Sequence, residues 1–418
     1  MRDLLLFAIV CLCGTVSLTA QRVAQTPPSP VNIVKAGGIM HVFCARVDVN
    51  FNGALDSGDE PATWVQIDPA TLLPLRSYTF PWADVKASRL GISETAKALF
   101  VGVDNTVEHF SLETQARIGV VYTGQVSAVS ATLGGAAIYV SHRPSFTEPG
   151  SVVQITLATG DSVVYQAGPN PQQSARFITS TNAQGLLTLS EGNFGQPTGL
   201  FDIWKQSVLG AGRTSHVVGD TPNHFCVSGD SAYVTVNGSH WIVVINLFTT
   251  EAVDTILVGT SGFDGPRESV VSNGRLYVST FAGDVRVFDV ATGTRIGSIK
   301  LDAKPEGIAL NGTDLWVTRA FVAGGYSAER NVAVYDLTQA VSVNDEPFSL
   351  STPKAIYVTS NRVSLPLDFH KQITIRAIDG RRTDVQIVDS DSQTLDISSL
   401  THGVYVVSDG TSAITLMR

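Results

Sequence analysis

The segment Pro222–Tyr233, PNHFCVSGDSAY, decides how the chain is read, because it returns twice without a gap. Pro266–Tyr277 reads PRESVVSNGRLY and Pro305–Trp316 reads PEGIALNGTDLW. Each copy opens on a proline, runs through a short apolar stretch, turns at a polar or Gly pair, and reaches a second apolar stretch centred on an aromatic ring. Proline is tolerated at the first position of a strand, where its missing N–H costs little. Asn-Gly and Gly-Asp pairs favour tight hairpins. Each copy therefore predicts two short antiparallel strands.

The same spacing of 11 runs from Pro30 to His41 in PVNIVKAGGIMH, and weaker copies end in Phe100-Val101, Tyr139-Val140 and Leu187-Thr188. A second strand pair follows each copy: QIDPATLLPL, HFSLETQARI, QITLATGDSV, LFDIWKQSVL, VINLFTTEAV, VFDVATGTRI and VYDLTQAVSV. Seven units of about 40 residues, each readable as four short strands, make the pattern of a β-propeller. Such units cannot bury their faces alone and stack on their neighbours. The expected fold class is all-β: a seven-bladed β-propeller over residues 30–343, followed by a small Ig-like β-sandwich. A single sandwich or a solenoid is the alternative for so many short strands, but the regular repeat and its count favour the ring. Residues near the N terminus, the VNIVK stretch at 31–35 among them, are expected to complete the last blade.

Composition agrees and sets limits. The 418 residues carry 28 Lys+Arg against 37 Asp+Glu, a formal charge of -9. With 16% charged and 44% hydrophobic residues, long disordered tails are not expected. The acidic balance argues against a sequence-independent grip on nucleic acid or an anionic membrane.

Residues 1–20 read as a signal peptide. Arg2 supplies the positive start, Leu4 to Leu12 the apolar stretch, and Thr15 to Ala20 the small, uncharged exit before Gln21. The run is interrupted by Gly14 and Thr15 and falls short of the ~20 apolar residues of a membrane span. The mature chain is expected to lack a transmembrane segment and to lie at the cell surface or outside. It would keep Cys44 and Cys226, which fall in blades far apart around the ring. A disulfide would exceed the reach between paired Cα atoms, so both are expected as unpaired thiols.

After Val343 the repeat stops, residues 344–353 read as a linker, and 354–418 show short alternating strands. Two resemblances add to this reading. Tyr233-Val-Thr-Val-Asn237 and Tyr277-Val-Ser-Thr280 resemble the YVTN-type repeats of secreted, surface-layer-like propellers. Ser190-Glu-Gly-Asn-Phe-Gly195 looks like a motif of exported Bacteroidetes propellers, a group with no shared catalytic residues to carry over. The tail resembles the type A sorting domain of the type IX secretion system. The matching stretches are Gln372–Thr383 (QITIRAIDGRRT), Thr394–Val407 (TLDISSLTHGVYVV) and the end Ala413–Arg418 (AITLMR). His402 stands where Ser or Ala is usual, and the family's early Asn-Pro turn is absent. The resemblance implies a partner, the type IX secretion machinery, which would read residues 354–418 as an address.

One stretch has the spacing of a metal loop. Asp48, Asn50, Asn52, Asp56 and Asp59, with Gly53 at the sharp turn and Ala54 offering its carbonyl, fit the D-x-[DN]-x-[DN]-G calcium template. Position 12 is Asp59 where Glu is usual, and Glu60 stands beside it. The expected ion is a single structural Ca2+ pinning an insertion in blade 1. The rival is a solvated Asn/Asp/Gly turn.

In a four-stranded blade, the approach to the first strand and the turn after the second lie at one end. The approaches carry Arg89, Asn223, His224, Arg267, Glu268 and Glu306. The turns after the second strands carry the calcium loop, His142 and Arg143 in HRPSFTEPG, Glu191 and Asn193 in EGNFGQP, and Arg319 in RAFVAGGYSAERN. Long loops on a rigid scaffold are where binding usually lies. These mixed-sign groups could hold a polar ligand, or pair with one another and plug the tunnel. The chain has no G-x-S-x-G elbow, H-E-x-x-H pair or P-loop, and no zinc-spaced cysteines. His41 takes the aromatic position of its repeat and reads as a core imidazole. The expected function is a non-enzymatic, exported propeller that binds a ligand, protein or glycan through the long-loop face. A lactonase-like hydrolase or lyase at the central tunnel is the alternative, and a structural surface-layer component a further one.

Overall fold

A computed structural model describes residues 21–132, 134–207, 210–260 and 264–338, and beyond them the backbone of eight short strands between 356 and 417. Seven antiparallel sheets built in succession along the chain form the ring. Blade 5 shows the plan: Pro222–Ser228, Ser231–Val236, Trp241–Asn246 and Glu251–Leu257 pair in sequence order from the axis outward. Blades 1 to 4 and 6 repeat that order, starting at Pro30, Gly91, Val126, Pro171 and Pro266. The first strand of every blade packs on the first strand of the next, and Pro30–Ala36 packs on Ile308–Asn311 of blade 7, so the circle of seven is closed.

Residues near the N terminus close the ring, as expected, but the strand is not VNIVK. Arg22–Gln25 pairs antiparallel with Ala328–Asp336, Arg22 opposite Val334, and is the outermost strand of blade 7. VNIVK instead lies in the innermost strand of blade 1. The propeller therefore begins eight residues before Pro30, because the last blade lacks a fourth strand of its own. Early and late chain are thereby fastened in one sheet, which removes two free edges. The Arg319–Asn331 stretch expected as a long loop is mostly ladder, with strands Asp314–Val322 and Ala328–Asp336 leaving only 323–327 as the turn. Residues 1–20 and 344–353, expected as a signal peptide and a linker, lie outside the described residues. The stretch 354–418, expected as an Ig-like sandwich, lies largely outside them too. The backbone described there forms one five-stranded and one three-stranded sheet.

Burial follows distance from the rim. Second and third strands are sandwiched between neighbouring blades, and all of Ala98–Val103 and Thr63–Ile67 is buried. Outermost strands such as Pro74–Thr79 are mostly exposed. The core thus consists of layers between blades. Between blades 1 and 2, Trp64 stacks on Phe43 and meets Phe110 edge-on. Between blades 4 and 5, Phe201 meets Phe225 and Trp241 is buried beside them. Cys44 and Cys226 are free thiols, and burial raises them to about 12 and about 11.

The hydroxyl of the YVT/YVS position has a structural task. Innermost strands bulge just after their opening residue, with register shifts at Pro30/Asn32, Pro171/Gln173, Pro222/His224 and Pro266/Ser269. A bulge leaves backbone groups without ladder partners. Thr235 Oγ1 donates to the His224 carbonyl at 2.9 Å and lies 3.3 Å from the Arg267 carbonyl of the next blade. Ser279 Oγ sits likewise between the carbonyls of Glu268 and Glu306, and Thr318 Oγ1 accepts from Gly307 N–H at 2.8 Å. In blades 5 and 6 one hydroxyl thus holds the bulge and touches the neighbouring blade, while Thr318 of blade 7 bonds within its own blade. Thr235→Val keeps the shape and removes the donor from a buried carbonyl, so a loss of about 1–3 kcal/mol is expected. A thermal melt reads it, and an unchanged Tm would show the bulge to be held by the ladder alone.

Candidate functional site: the long-loop face

Both chain ends of the ring leave at the face of short turns. Arg22 pairs with Asp314 at 2.5 Å beside the Asn311-Gly312 turn, and Leu337 N–H donates to Thr313 O at 2.9 Å. The opposite face, with the 45–62, 80–90, 143–148, 191–198 and 323–327 loops, carries no chain end of the ring.

Its centre is a network of charges. Arg89 leads into the first strand of blade 2, where Gly91 lies so close to blade 3 that a Cβ would stand 2.7 Å from the Ser130 carbonyl carbon. Its guanidinium reaches across the axis, 2.9 Å from Glu268 of blade 6 and 2.5 Å from the Asn223 carbonyl of blade 5. Arg89 therefore bridges this end of the tunnel. Asn223 Nδ2 in turn donates to the Arg267 carbonyl at 2.6 Å. Glu268 is only 7% exposed, and burial raises its pKa despite the pull of Arg89. Arg267 forks onto Glu306 through contacts of 3.0 and 2.7 Å, its guanidinium 4.4 Å above the Phe281 ring.

Glu191 is held by neutral donors. Gln172 Nε2 donates to it at 2.8 Å and Asn170 Nδ2 donates to the same oxygen, while Asn170 Oδ1 accepts from Arg143 at 3.0 Å. Burial raises the Glu191 carboxyl, opposed by Gln172 and by Arg89, Arg143 and Arg267 nearby. His224 lies beneath this layer, accepting from Ser269 N–H at 3.4 Å, and burial lowers its imidazole to about 3. His142 turns towards blade 2 and meets Tyr122 Oη at 3.2 Å. Arg319 donates to the Asp302 carbonyl at 3.2 Å and lies 4.0 Å from Glu329. Asn193 folds into its own loop, its N–H on Thr198 Oγ1 at 2.8 Å. The structure thus joins Arg89, Arg143, Glu191, Asn223, Arg267, Glu268 and Glu306 in one floor, with His142, Asn193 and Arg319 at its margin.

The loops of this face also carry exposed aromatic rings, which give no charge signal in the sequence. Phe51 is 90% exposed, Phe194 88%, Phe146 64% and Tyr326 59%. They come from the loops of blades 1, 4, 3 and 7. A signal for them was present in NFNG, PSFTEP, GNFGQ and GGYSA, where one ring sits among Gly, Pro, Ser and Asn with no apolar neighbours to bury it. The guanidiniums of Arg143 and Arg46 lie over the rings of Phe146 and Trp82, at 4.2 and 4.8 Å. Lys304 lies 3.7 Å above Tyr326.

The 48–59 loop is folded by its own donors. Asp48 accepts from the N–H groups of Asn52 and Gly53, Asp59 from those of Val49 and Asp56. Asp56 accepts from the side-chain amides of Asn50 and Asn52 at 2.9 and 2.6 Å, which lowers its pKa. Amide nitrogens thus face Asp56, and the Asn oxygens would converge with the carboxylates only after both amides turn. Ala54 N–H bonds to Asn52 Oδ1 at 2.7 Å. Among the described residues no three His, Cys, Asp or Glu side chains stand together as a metal site. The loop tip is stitched to Trp82, whose Nε1–H donates to the Gly53 carbonyl at 2.8 Å.

On the short-turn face a groove of about 590 Å³ lies between blades 1 and 2, lined by His41, Gln66, Leu75, Arg76, Glu94 and Leu112 among others. His41 is buried there. Its Nδ1 accepts from Trp64 Nε1–H, its Nε2 meets the Ala36 carbonyl, and burial lowers it to about 4.

No family model matches the chain, and no curated protein matches it. Solved structures do. That of U3-55K aligns with a TM-score of 0.58 at 12% identity, over 77% of this chain and 99% of that one. The chain folds as a seven-bladed β-propeller. The RRP9 WD40 repeats align likewise, with a TM-score of 0.57 at 12% identity over 76% and 97% of the two chains. At that identity the likeness is one of fold, and propellers host many unrelated functions.

Proposed function

We propose that the chain is an exported, non-enzymatic binding protein that engages a protein or glycan partner through the long-loop face of its propeller. The observation that carries this reading is the set of exposed rings, Phe51, Phe146, Phe194 and Tyr326, on the face opposite both chain ends of the ring. Aromatic residues and arginine are enriched at interface centres, where rigid rings fill pockets of a partner. The floor beneath suits a scaffold: Glu268 and Glu306 are paired with arginine and Glu191 is held by amides, which leaves the lactonase-like reading less supported. Export rests on the signal-like residues 1–20 and on the resemblance of 354–418 to a type IX sorting domain. A photo-crosslinking residue at position 51 or 194 is expected to trap a partner in the producing cells. The same residue at Phe248, 53% exposed on the short-turn face, is expected to trap none. Adducts from position 248 alone would overturn the assignment of the face.

Calcium belongs to the same reading. The residues that would hold it are Asp48, Asn50, Asn52, Asp56 and Asp59 with the Ala54 carbonyl, and the ion would replace the amide donors on Asp56. At an extracellular-range Kd of ~10⁻⁴ M, ~10 mM calcium would stabilise by about 2.7 kcal/mol. The expected result is a higher Tm and a changed Trp82 fluorescence with calcium, both lost in Asp48→Ala/Asp56→Ala. Identical melts in calcium and in chelator would remove the ion.

A further inference from the structure

We propose that Arg143 and Arg46, each seated on an aromatic ring of the long-loop face, receive the carboxylates of an acidic protein segment whose apolar side chains rest on the exposed rings beside them. The inference rests on the proposed role of that face and names the chemistry of its partner. Most arginines at the mouth are spent: Arg89 on Glu268, Arg267 on Glu306, Arg330 on Glu60. Arg143 and Arg46 differ. Their guanidiniums lie 4.2 and 4.8 Å from the ring centroids of Phe146 and Trp82, and among the described residues neither is in an ion pair. Arg143 gives one N–H to Asn170 Oδ1, a neutral acceptor. Stacking fixes the plane of a guanidinium, so little freedom is lost when a carboxylate docks in the bidentate manner.

Charge and exposed area select the occupant. Two separate cations do not make the continuous basic track a nucleic acid needs, but each can take a single carboxylate. Phe51 and Phe194, about nine-tenths exposed, call for apolar side chains between the acidic ones. A segment alternating Asp or Glu with Leu or Phe meets both demands.

The test uses the full chain and fluorescence anisotropy with short synthetic peptides. The probes are a Glu/Leu/Phe peptide, its Lys/Leu/Phe counterpart, a Glu/Ser peptide, a sulfated oligosaccharide and a single-stranded oligonucleotide. The Glu/Leu/Phe peptide is expected to bind best and the lysine peptide not at all. Arg143→Gln and Arg46→Gln are each expected to weaken binding about tenfold, as the loss of a charge-assisted bond implies. Arg143→Lys, which keeps the charge and loses the fork, is expected to lie between. Each variant is first matched to the parent in Tm. Binding that survives both Gln changes but falls in Phe51→Ser/Phe194→Ser would overturn the carboxylate assignment and leave the face standing. Binding indifferent to all four changes would overturn both. No binding of the acidic peptide, or tighter binding of the oligosaccharide or oligonucleotide, would overturn the acidic-segment assignment, while the crosslinking result judges the face separately.

Discussion

Arg89→Leu is expected to destabilise the propeller by about 3–5 kcal/mol at neutral pH, because it leaves Glu268 buried without its cation. Glu268 is 7% exposed, and its other polar contact is a 3.4 Å bond from Ile308 N–H, too weak a substitute for a guanidinium at 2.9 Å. The same change removes the donor to the Asn223 carbonyl and unties blade 2 from blades 5 and 6. Urea unfolding at pH 7 measures the loss. The deficit is expected to shrink in acid. Glu268 already has a raised pKa in the fold, so its protonated form is favoured there, and its contribution is most favourable at low pH and declines as pH rises through the raised value. Without Arg89 the pKa rises further, and a protonated Glu268 has no need of a cation. The double variant Arg89→Leu/Glu268→Leu is expected to regain most of the stability. A loss under about 1 kcal/mol for Arg89→Leu would instead mark the pair as a solvated surface bridge.

The second large effect concerns acid. His41 and His224 are held neutral by burial, with folded pKa values of about 4 and about 3 against an ordinary 6.5. A depressed pKa gives stability that is present above pH 6.5 and lost as pH falls through the folded value. Fully realised, the two shifts correspond to roughly 3 and 5 kcal/mol. Glu191 and Glu268, raised by burial, act in the opposite sense and offset part of the loss. The contribution of the two imidazoles is therefore expected to be lost as pH falls from 6.5 towards 4. His224→Gln keeps an acceptor for the Ser269 N–H and cannot titrate in this range. Its pH dependence over this interval is expected to be shallower than the parent's. An identical slope would show that His224 is solvated in the fold.

The candidate site was legible in part. Arg89, Asn223, Arg267, Glu268 and Glu306 could be placed at one end of the ring because the repeat fixes where each first strand begins. That Arg89 belongs to Glu268 and the Asn223 carbonyl, 179 and 134 residues away, could not. Reach across an axis depends on the ring's diameter and on which rotamers the neighbouring blades leave open. Asn170 and Gln172 were missed because neutral amides carry no signal until the carboxylate they serve, Glu191, is seen to be buried. The exposed aromatics carry a signal of a different kind: each ring stands isolated in a polar loop, with no apolar neighbours to bury it.

The sequence alone determined the number of blades, the order of strands within each and the face on which the long loops gather. All three follow from local spacing, since hairpins pair neighbours and a repeated hairpin repeats its geometry. Tertiary structure decided the rest. It chose Arg22–Gln25 as the closing strand, set His224 against Ser269, coupled the mouth charges across the axis and, among the described residues, left Arg46 and Arg143 out of any ion pair. Those outcomes depend on contacts between residues far apart in the chain. Their energies are set by burial and distance, and neither exists until the ring has closed.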